Sequence, residues 1–160
     1  MIRPLTVADA EEALALRLAN REFLAPFEPV REEAYFTIEA QRERLERSEH
    51  GFAILDGTAI AGVVFLSNVV HGPFCNANVG YWVDQARNGR GLATRAVAEV
   101  VDLAFGELGL HRLEAGTLVD NVASQRVLEK NGFERIGLAR RYLKIAGDWR
   151  DHLLFQRVAD

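Results

Sequence analysis

Apolar side chains recur at helical spacing in the second half of the chain, and this is the clearest pattern in the sequence. Leu92, Ala96, Val100, Leu103 and Ala104 fall on one stripe of a helix that spans residues 92 to 106. Such a stripe is typical of an amphipathic helix with one face against a core. We therefore predict a long helix in this region.

Two β-branched runs on either side of Asp56-Gly57 predict an antiparallel hairpin, because this dipeptide suits a tight turn. Pro26 and Pro29 exclude a continuous helix between residues 20 and 33, so this segment is predicted as a loop. Thr6, with Asp9 three residues on, predicts a capping box at the start of the first helix.

The other predicted elements follow from the same periodicities and from turn residues at their ends. In chain order, they are a strand at 2–5, a helix from 6 to about 20, a helix at about 33–47, strands within 51–70, a strand at 78–83, a strand at 111–119, a helix at 121–130 ended by Gly132 and a hairpin at 133–158. The predicted order is βααβββαβαββ.

Length and composition suit one domain spanning residues 1–160. The chain is 49% hydrophobic and 26% charged, and no polar linker or repeat divides it. Its start lacks the apolar segment of a signal peptide, and no stretch could span a bilayer, so we expect a cytoplasmic protein without membrane contact. The single cysteine, Cys75, excludes an internal disulfide and a Cys-built zinc site.

The net charge of −4 argues against a protein that binds nucleic acid directly, since such proteins carry a basic face. The same charge favours a cationic substrate.

A glycine-rich turn in WVDQARNGRGLATRAV, residues 82 to 97, carries the candidate chemistry. A strand that enters two close glycines and then a helix leaves main-chain N–H groups free at the positive end of the helix dipole, where phosphates bind. The third glycine of a dinucleotide fingerprint and the G-K-[ST] of a Walker loop are absent. The alternative is an ordinary tight connection between a strand and a helix. As an anion-binding turn, this segment would bind a pyrophosphate through Asn88, Gly89, Arg90, Gly91, Leu92, Ala93 and Thr94.

These residues resemble the pyrophosphate loop of the GNAT acyl-CoA N-acyltransferases, usually written [Q/R]-x-x-G-x-[G/A], with Ala86 in place of the polar first position. A late helix, residues 120 to 134, is similar to that of the family. Stretches beginning at Asn20, Phe65 and Arg140 resemble the RimJ/RimL type, the ribosomal-protein-alanine N-acetyltransferases, and especially RimJ. The resemblance implies an α+β fold with a mixed, mostly antiparallel central sheet flanked by helices.

The same resemblance implies transfer of acetyl from acetyl-CoA, without a metal, to the N-terminal amine of a ribosomal protein. It implies that strand 78–83 splays from strand 112–117, so that main-chain groups of Tyr81, Trp82 and Val83 hold the pantetheine arm and the Val83 N–H faces the thioester oxygen. The alternative is a continuous ladder in which Tyr81 and Trp82 only pack.

Asn121 and Ser124 lie in the first turn of the late helix. By the resemblance, Asn121 holds a pantetheine amide and Ser124 donates a hydrogen bond to the departing sulfur. The alternative is that Asp120 or Asn121 is an N-cap and Ser124 satisfies backbone donors.

No single general base stands out in the sequence. Glu28 and Asp151 are the carboxylate candidates, and no two of the four histidines have metal-ligand spacing. The remaining aromatic candidates for the wall of the acceptor mouth, with plain packing as the alternative, are Phe27, Tyr35, Tyr142 and Trp149.

Three functions stay open at this point. The first is acetylation of protein N-termini. The second is acetylation of a small amine such as an antibiotic, a polyamine or a peptide toxin, because a fold does not select a substrate. The third is a silent CoA-binding module. An exposed edge strand or the aromatic loop offers a surface for a homodimer.

Overall fold

The computed structural model describes all residues from 1 to 160. The strands are β1 (Ile2–Pro4), β2 (Gly51–Asp56), β3 (Ala59–Val70), β4 (Asn76–Val83), β5 (Arg112–Leu118), β6 (Glu134–Ile145) and β7 (Asp148–Val158). The α-helices are α1 (Ala10–Ala19), α2 (Arg21–Leu24), α3 (Ile38–Arg47), α4 (Leu92–Gly106) and α5 (Val122–Lys130).

The seven strands form one sheet in the order β1-β2-β3-β4-β5-β7-β6. All neighbouring strands are antiparallel except β4 and β5, which are parallel. The predicted α+β class, with a mixed and mostly antiparallel sheet, is confirmed.

Helices cover both faces of the sheet. On one face, Val97 and Val100 of α4 and Leu128 of α5 share one core cluster with Ile54 and Val64 of the sheet, and all five side chains are fully buried. On the opposite face, α1 packs on β3 and α3 packs on α1. Because side chains alternate along a strand, each strand contributes to both layers. None of the helices combines the length and apolarity that a membrane crossing requires.

The segment between α1 and α3 differs from the prediction. The predicted loop contains the one-turn helix α2, and residues 33–36 form a 3-10 turn rather than the start of a long helix. Thr37 has extended backbone, with ψ 155°, and its hydroxyl accepts a hydrogen bond from the Ala40 N–H at 3.3 Å. The helix predicted from about Glu33 therefore begins at Ile38, because Thr37 is its N-cap.

The first helix also begins later than predicted, since residues 7–9 form a 3-10 turn before α1. The Asp9 carboxylate accepts a hydrogen bond from the Thr6 N–H at 2.8 Å, as expected of the N3 acid in a capping box. Arg3 binds the same carboxylate through two nitrogens, at 2.8 and 2.9 Å.

The strands β4 and β5 separate in the middle of the sheet. They pair at Asn76–Arg112, Ala77–Leu113 and Asn78–Glu114, and at no later position. From residue 79 on β4 and residue 115 on β5, the two strands diverge and leave a strand gap. This divergence was predicted, and the alternative of a continuous ladder is wrong.

Candidate active site

The predicted anion-binding turn lies directly after β4. Gly89 and Gly91 have φ values of +77° and +75°, a left-handed conformation that glycine adopts without strain. The first hydrogen bond of α4 runs from the Arg95 N–H to the Gly91 carbonyl at 3.1 Å. The N–H groups of residues 92 to 94 therefore lack an intrahelical acceptor and are available to a phosphate.

The arginines of this turn make contacts that the sequence does not reveal. Arg90 forms a two-pronged ion pair with Asp56 at 2.7 and 3.0 Å. Arg87 lies 3.3 Å from the same carboxylate. The side chain of Arg90 thus attaches the turn to the β2–β3 hairpin. Because its guanidinium is already paired, we expect Arg90 to contact a phosphate through its main-chain N–H.

Asn20 fixes the entry to the turn, and sequence analysis gave it no role of its own. Its amide nitrogen donates to the Asp84 carboxylate at 3.1 Å, and its amide oxygen accepts from the Gln85 N–H at 2.9 Å. The side chain is 1% exposed. The end of α1 and the start of the anion-binding turn are therefore held as one unit.

Main-chain groups of β4 face the strand gap at alternate residues. The Asp84 N–H donates to the Ala61 carbonyl at 2.7 Å, while Gly62 lies opposite Val83. A hydrogen bond between the residue after Val83 and the residue before Gly62 is found only where the opposite residues themselves form a non-hydrogen-bonded pair. Gly62 and Val83 are therefore such a pair. The Val83 N–H, and by alternation the main-chain groups of Tyr81, therefore face the gap.

By the same alternation, the main-chain groups of Trp82 face β3, opposite Val63. The expectation that the main chain of Trp82 contacts the pantetheine arm is therefore corrected. Its side chain lies on the α1–α3 face, where the Arg17 guanidinium is 5.5 Å from its ring centroid.

Tyr81 and Ser124 meet on the other face, across 43 residues of sequence. Their hydroxyl oxygens are 2.7 Å apart, and the Tyr81 hydroxyl lies 3.1 Å from the Ser124 carbonyl. Burial raises the pKa of the Tyr81 phenol to about 12, so the phenol keeps its proton at neutral pH. The Ser124 hydroxyl therefore has a partly buried, protonated neighbour.

Asn121 is the N-cap of α5, because its side-chain oxygen accepts from the Ser124 N–H at 3.2 Å. The capping alternative is therefore confirmed for Asn121. Its amide nitrogen remains available to a ligand, so capping and the predicted pantetheine contact are compatible.

A cavity of about 620 Å³ connects the two faces of the sheet through the strand gap. Tyr81, Asn121 and Ser124 line it on the α4–α5 side, and Trp82 lines it on the α1–α3 side. A donor and an acceptor can therefore approach the gap from different directions.

Three predicted acceptor residues, Phe27, Glu28 and Tyr35, line the α1–α3 side of this cavity. Glu28 pairs with Arg17, which also donates a hydrogen bond to the Tyr35 hydroxyl at 2.9 Å. The carboxylate of Glu28 is therefore already engaged by the Arg17 guanidinium.

The other three predicted acceptor residues lie on the β6–β7 hairpin and do not line this cavity, although Tyr142 lines a second, smaller cavity beside the strand gap with Gly80 and Gly116. Trp149 is 61% exposed and does not line the cavity. Asp151 is exposed and accepts a hydrogen bond from the Arg141 N–H at 2.8 Å. Tyr142 is exposed, and its ring centroid lies 5.6 Å from that of His152.

His152 is the functional candidate that sequence analysis set aside. It lines the cavity and is 4% exposed. Its Nδ1 lies 3.0 Å from the Arg150 carbonyl, which can only accept, so in the neutral imidazole Nδ1 is the donor and Nε2 is the acceptor. An added Cβ at Gly116 would lie 3.8 Å from the ring, so the imidazole sits over a glycine that borders the gap.

Comparison with known proteins decides the family. Residues 1–134 match the family model for an acetyltransferase (GNAT) domain. The chain belongs to the GNAT acetyltransferase family. The probable N-acetyltransferase YjcK of Bacillus subtilis (strain 168) is 45% identical over 161 residues, covering 94% of this chain and 89% of that protein.

Two further relatives carry more specific names. The ribosomal protein uS5-alanine N-acetyltransferase of Escherichia coli (strain K12) is 36% identical over 145 residues, 84% of this chain and 75% of that protein. Mycobacterium smegmatis RimJ, solved in complex with CoA-disulfide, matches with a TM-score of 0.93 and 33% identity over 99% of this chain and 81% of that one. The predicted likeness to the RimJ/RimL type is confirmed.

This GNAT chain is an acetyltransferase whose donor is acetyl-CoA. Its geometry fits that donor, since the turn before α4 offers free N–H groups for a diphosphate. The gap offers the main-chain groups of Tyr81 and Val83 for an extended arm. No three His, Cys, Asp or Glu side chains lie close enough together to bind a metal ion.

Proposed function

We propose that the enzyme acetylates the N-terminal α-amino group of a protein, by direct attack of the amine while both substrates are bound. A ribosomal protein is the acceptor we favour, because the relative from Escherichia coli bears that activity in its name. The observation that carries the proposal is the cavity that connects both sides of the strand gap. A ribosomal acceptor implies a reaction in the cytoplasm.

An α-amino group suits this site better than a lysine side chain. Its reference pKa of about 7.7 to 8.0 leaves roughly a tenth of it neutral at pH 7, whereas a lysine amine, near 10.4, is almost wholly charged. Only the neutral amine attacks a thioester, so an N-terminus needs a weaker base.

Acetyl-CoA supplies the activated acetyl group. The Val83 N–H, directed into the gap, is positioned to donate to the thioester oxygen as negative charge develops on it. Ser124 would donate a hydrogen bond to the departing sulfur, and Tyr81 keeps the serine hydroxyl oriented through their 2.7 Å contact.

We propose His152 as the group that takes the proton of the amine, directly or through a water. Its Nε2 is the free acceptor, and its ring borders the gap on the same face as Trp82. Glu28 is engaged by Arg17, and Asp151 is exposed outside the cavity, so both fit this role less well.

The function is tested by measuring thiol release from acetyl-CoA with an alanine-led ribosomal peptide. The matched control is the same peptide with its amine already acetylated, and a panel of small amines provides the comparison. We expect turnover with the free peptide and none with the blocked one. Faster turnover of a small amine than of any peptide would overturn the proposal.

The role of His152 is tested by His152→Gln, with His71→Gln on an exposed loop as the control. Loss of a general base lowers kcat by about 10²–10⁴-fold. We expect this loss in His152→Gln and none in His71→Gln, with an unchanged Kd for CoA in both, and a wild-type kcat in His152→Gln would show that another group accepts the proton.

A further inference from the structure

Three arginines gather around one tyrosine on the acceptor side of the cavity, and we name Arg17, Arg31 and Arg44 the arginine cluster. Their guanidinium carbons lie 5.2, 4.6 and 4.7 Å from the centroid of the Tyr35 ring. Arg17 and Arg44 also donate hydrogen bonds to the Tyr35 hydroxyl. The negative face of the ring thus holds three cations together.

The charges of the cluster are not balanced within the protein. Glu28 is the only carboxylate in the cavity lining, and it pairs with Arg17. No carboxylate forms an ion pair with Arg31 or Arg44. The lining therefore carries a formal excess of two positive charges, three arginines less one glutamate.

Two nitrogens of the cluster also lack a partner. The Nε atoms of Arg17 and Arg31 are buried without a hydrogen bond, and Arg17 as a whole is only 7% exposed. A buried donor without an acceptor is unfavourable, so these two N–H groups call for an acceptor that the chain itself does not supply. The matching acceptor for a guanidinium is a carboxylate, which it binds with two parallel hydrogen bonds.

The cluster belongs to the acceptor side rather than to the donor side. Arg17 lies against the Trp82 ring on the α1–α3 face, whereas Tyr81 contacts Ser124 on the α4–α5 face. The free N–H groups expected to bind the diphosphate are in the turn before α4, which does not line this cavity.

We propose that the arginine cluster binds a carboxylate of the acceptor, so that the preferred substrate is a peptide with an acidic residue close to its free N-terminus. This inference rests on the proposed function and specifies its substrate class. Like-charge repulsion from the same cluster disfavours a polyamine or a peptide with lysine at that position.

The proposal is tested with alanine-led peptides that carry either Glu or Gln at the second, third or fourth position. Charge-assisted hydrogen bonds predict a kcat/KM about 10- to 100-fold higher for Glu than for Gln at one of these positions. Arg31→Gln and Arg44→Gln should each reduce this ratio several-fold. Arg42→Gln, on the same helix as Arg44 but outside the cavity lining, is the control that should leave the ratio unchanged.

A Glu/Gln ratio near one at all three positions would overturn the inference, as would a preference that survives both test substitutions. Loss of CoA affinity in Arg31→Gln or Arg44→Gln with an unchanged ratio would also overturn it, because the cluster would then serve the donor.

A different experiment tests the arginine cluster if the proposed function itself fails. If only small amines are acetylated, amines with a carboxylate are compared with their amides. A carboxylate preference that Arg44→Gln reduces would still support the cluster as an anion site, and equal rates would overturn it.

Discussion

Replacing Gly89 by alanine should weaken CoA binding far more than it weakens the fold. Gly89 has φ +77°, and an added Cβ would meet no atom within 4 Å, so the protein alone has room for the methyl group. The cost to folding is the left-handed conformation, about 1–2 kcal/mol for a residue with a Cβ. Gly72, with φ +79° and equally open surroundings, should show the same cost in Gly72→Ala.

Binding distinguishes the two variants. Gly89 lies in the turn whose N–H groups are free, whereas Gly72 precedes the opposite end of β4. A methyl group that keeps a diphosphate from one such N–H forfeits a charge-assisted hydrogen bond of about 1.5–3 kcal/mol. That loss corresponds to a Kd for CoA roughly 10- to 150-fold higher in Gly89→Ala.

Calorimetric titration with CoA and urea unfolding measure the two quantities on the same samples. We expect similar free energies of unfolding for the two variants and a large difference in Kd. Equal Kd values for Gly89→Ala and Gly72→Ala would refute the assignment of this turn to the diphosphate, and with it the position of the donor.

Three further changes test the site and the fold. Ser124→Ala should lower kcat about 10²-fold or more while the Kd for CoA stays the same, and an unchanged kcat would remove the proposed role. The hydrogen bond from Arg3 lowers the pKa of Asp9, so its stabilising effect is present at neutral pH and is lost as the pH falls through the lowered pKa. The difference in unfolding free energy between wild type and Asp9→Asn should therefore shrink in acid, and a constant difference in pH-dependent urea titrations would contradict it. Leu128→Ala should destabilise by about 2–5 kcal/mol in urea, because Leu128 is fully buried in the core, whereas Leu138→Ala, at a site 55% exposed, should change little.

The sequence predicted correctly those helices and turns whose position depends on neighbouring residues alone. The helix at 92–106 was predicted with its observed bounds, because a long apolar stripe and a glycine pair at its start agree. The turn at Asp56-Gly57 was predicted for the same reason. The helix expected from Glu33 begins instead at Ile38. The sequence does contain the signal for this later start, because Thr37 is a residue that favours the N-cap position, but it lies within a pattern that resembles continuous helix.

Contacts between distant residues account for what the sequence did not reveal about the site. Asn20 is 64 residues from Asp84, and Tyr81 is 43 residues from Ser124. No periodicity marks such pairs. His152 alternates along a strand as a packing residue would, and only its place across from Leu118, beside the strand gap, makes it a candidate base.

Substrate charge shows how a property of the whole chain can mislead about a site. The net charge of −4 favours a cationic substrate, because it averages over the entire surface. An acceptor inside the cavity experiences the nearby groups instead, since dissolved salt screens charges farther away than about 8 Å at physiological ionic strength. Those nearby groups are three arginines and Glu28. The local charge therefore favours an acceptor that brings an acidic group with its amine, whatever the sign of the net charge.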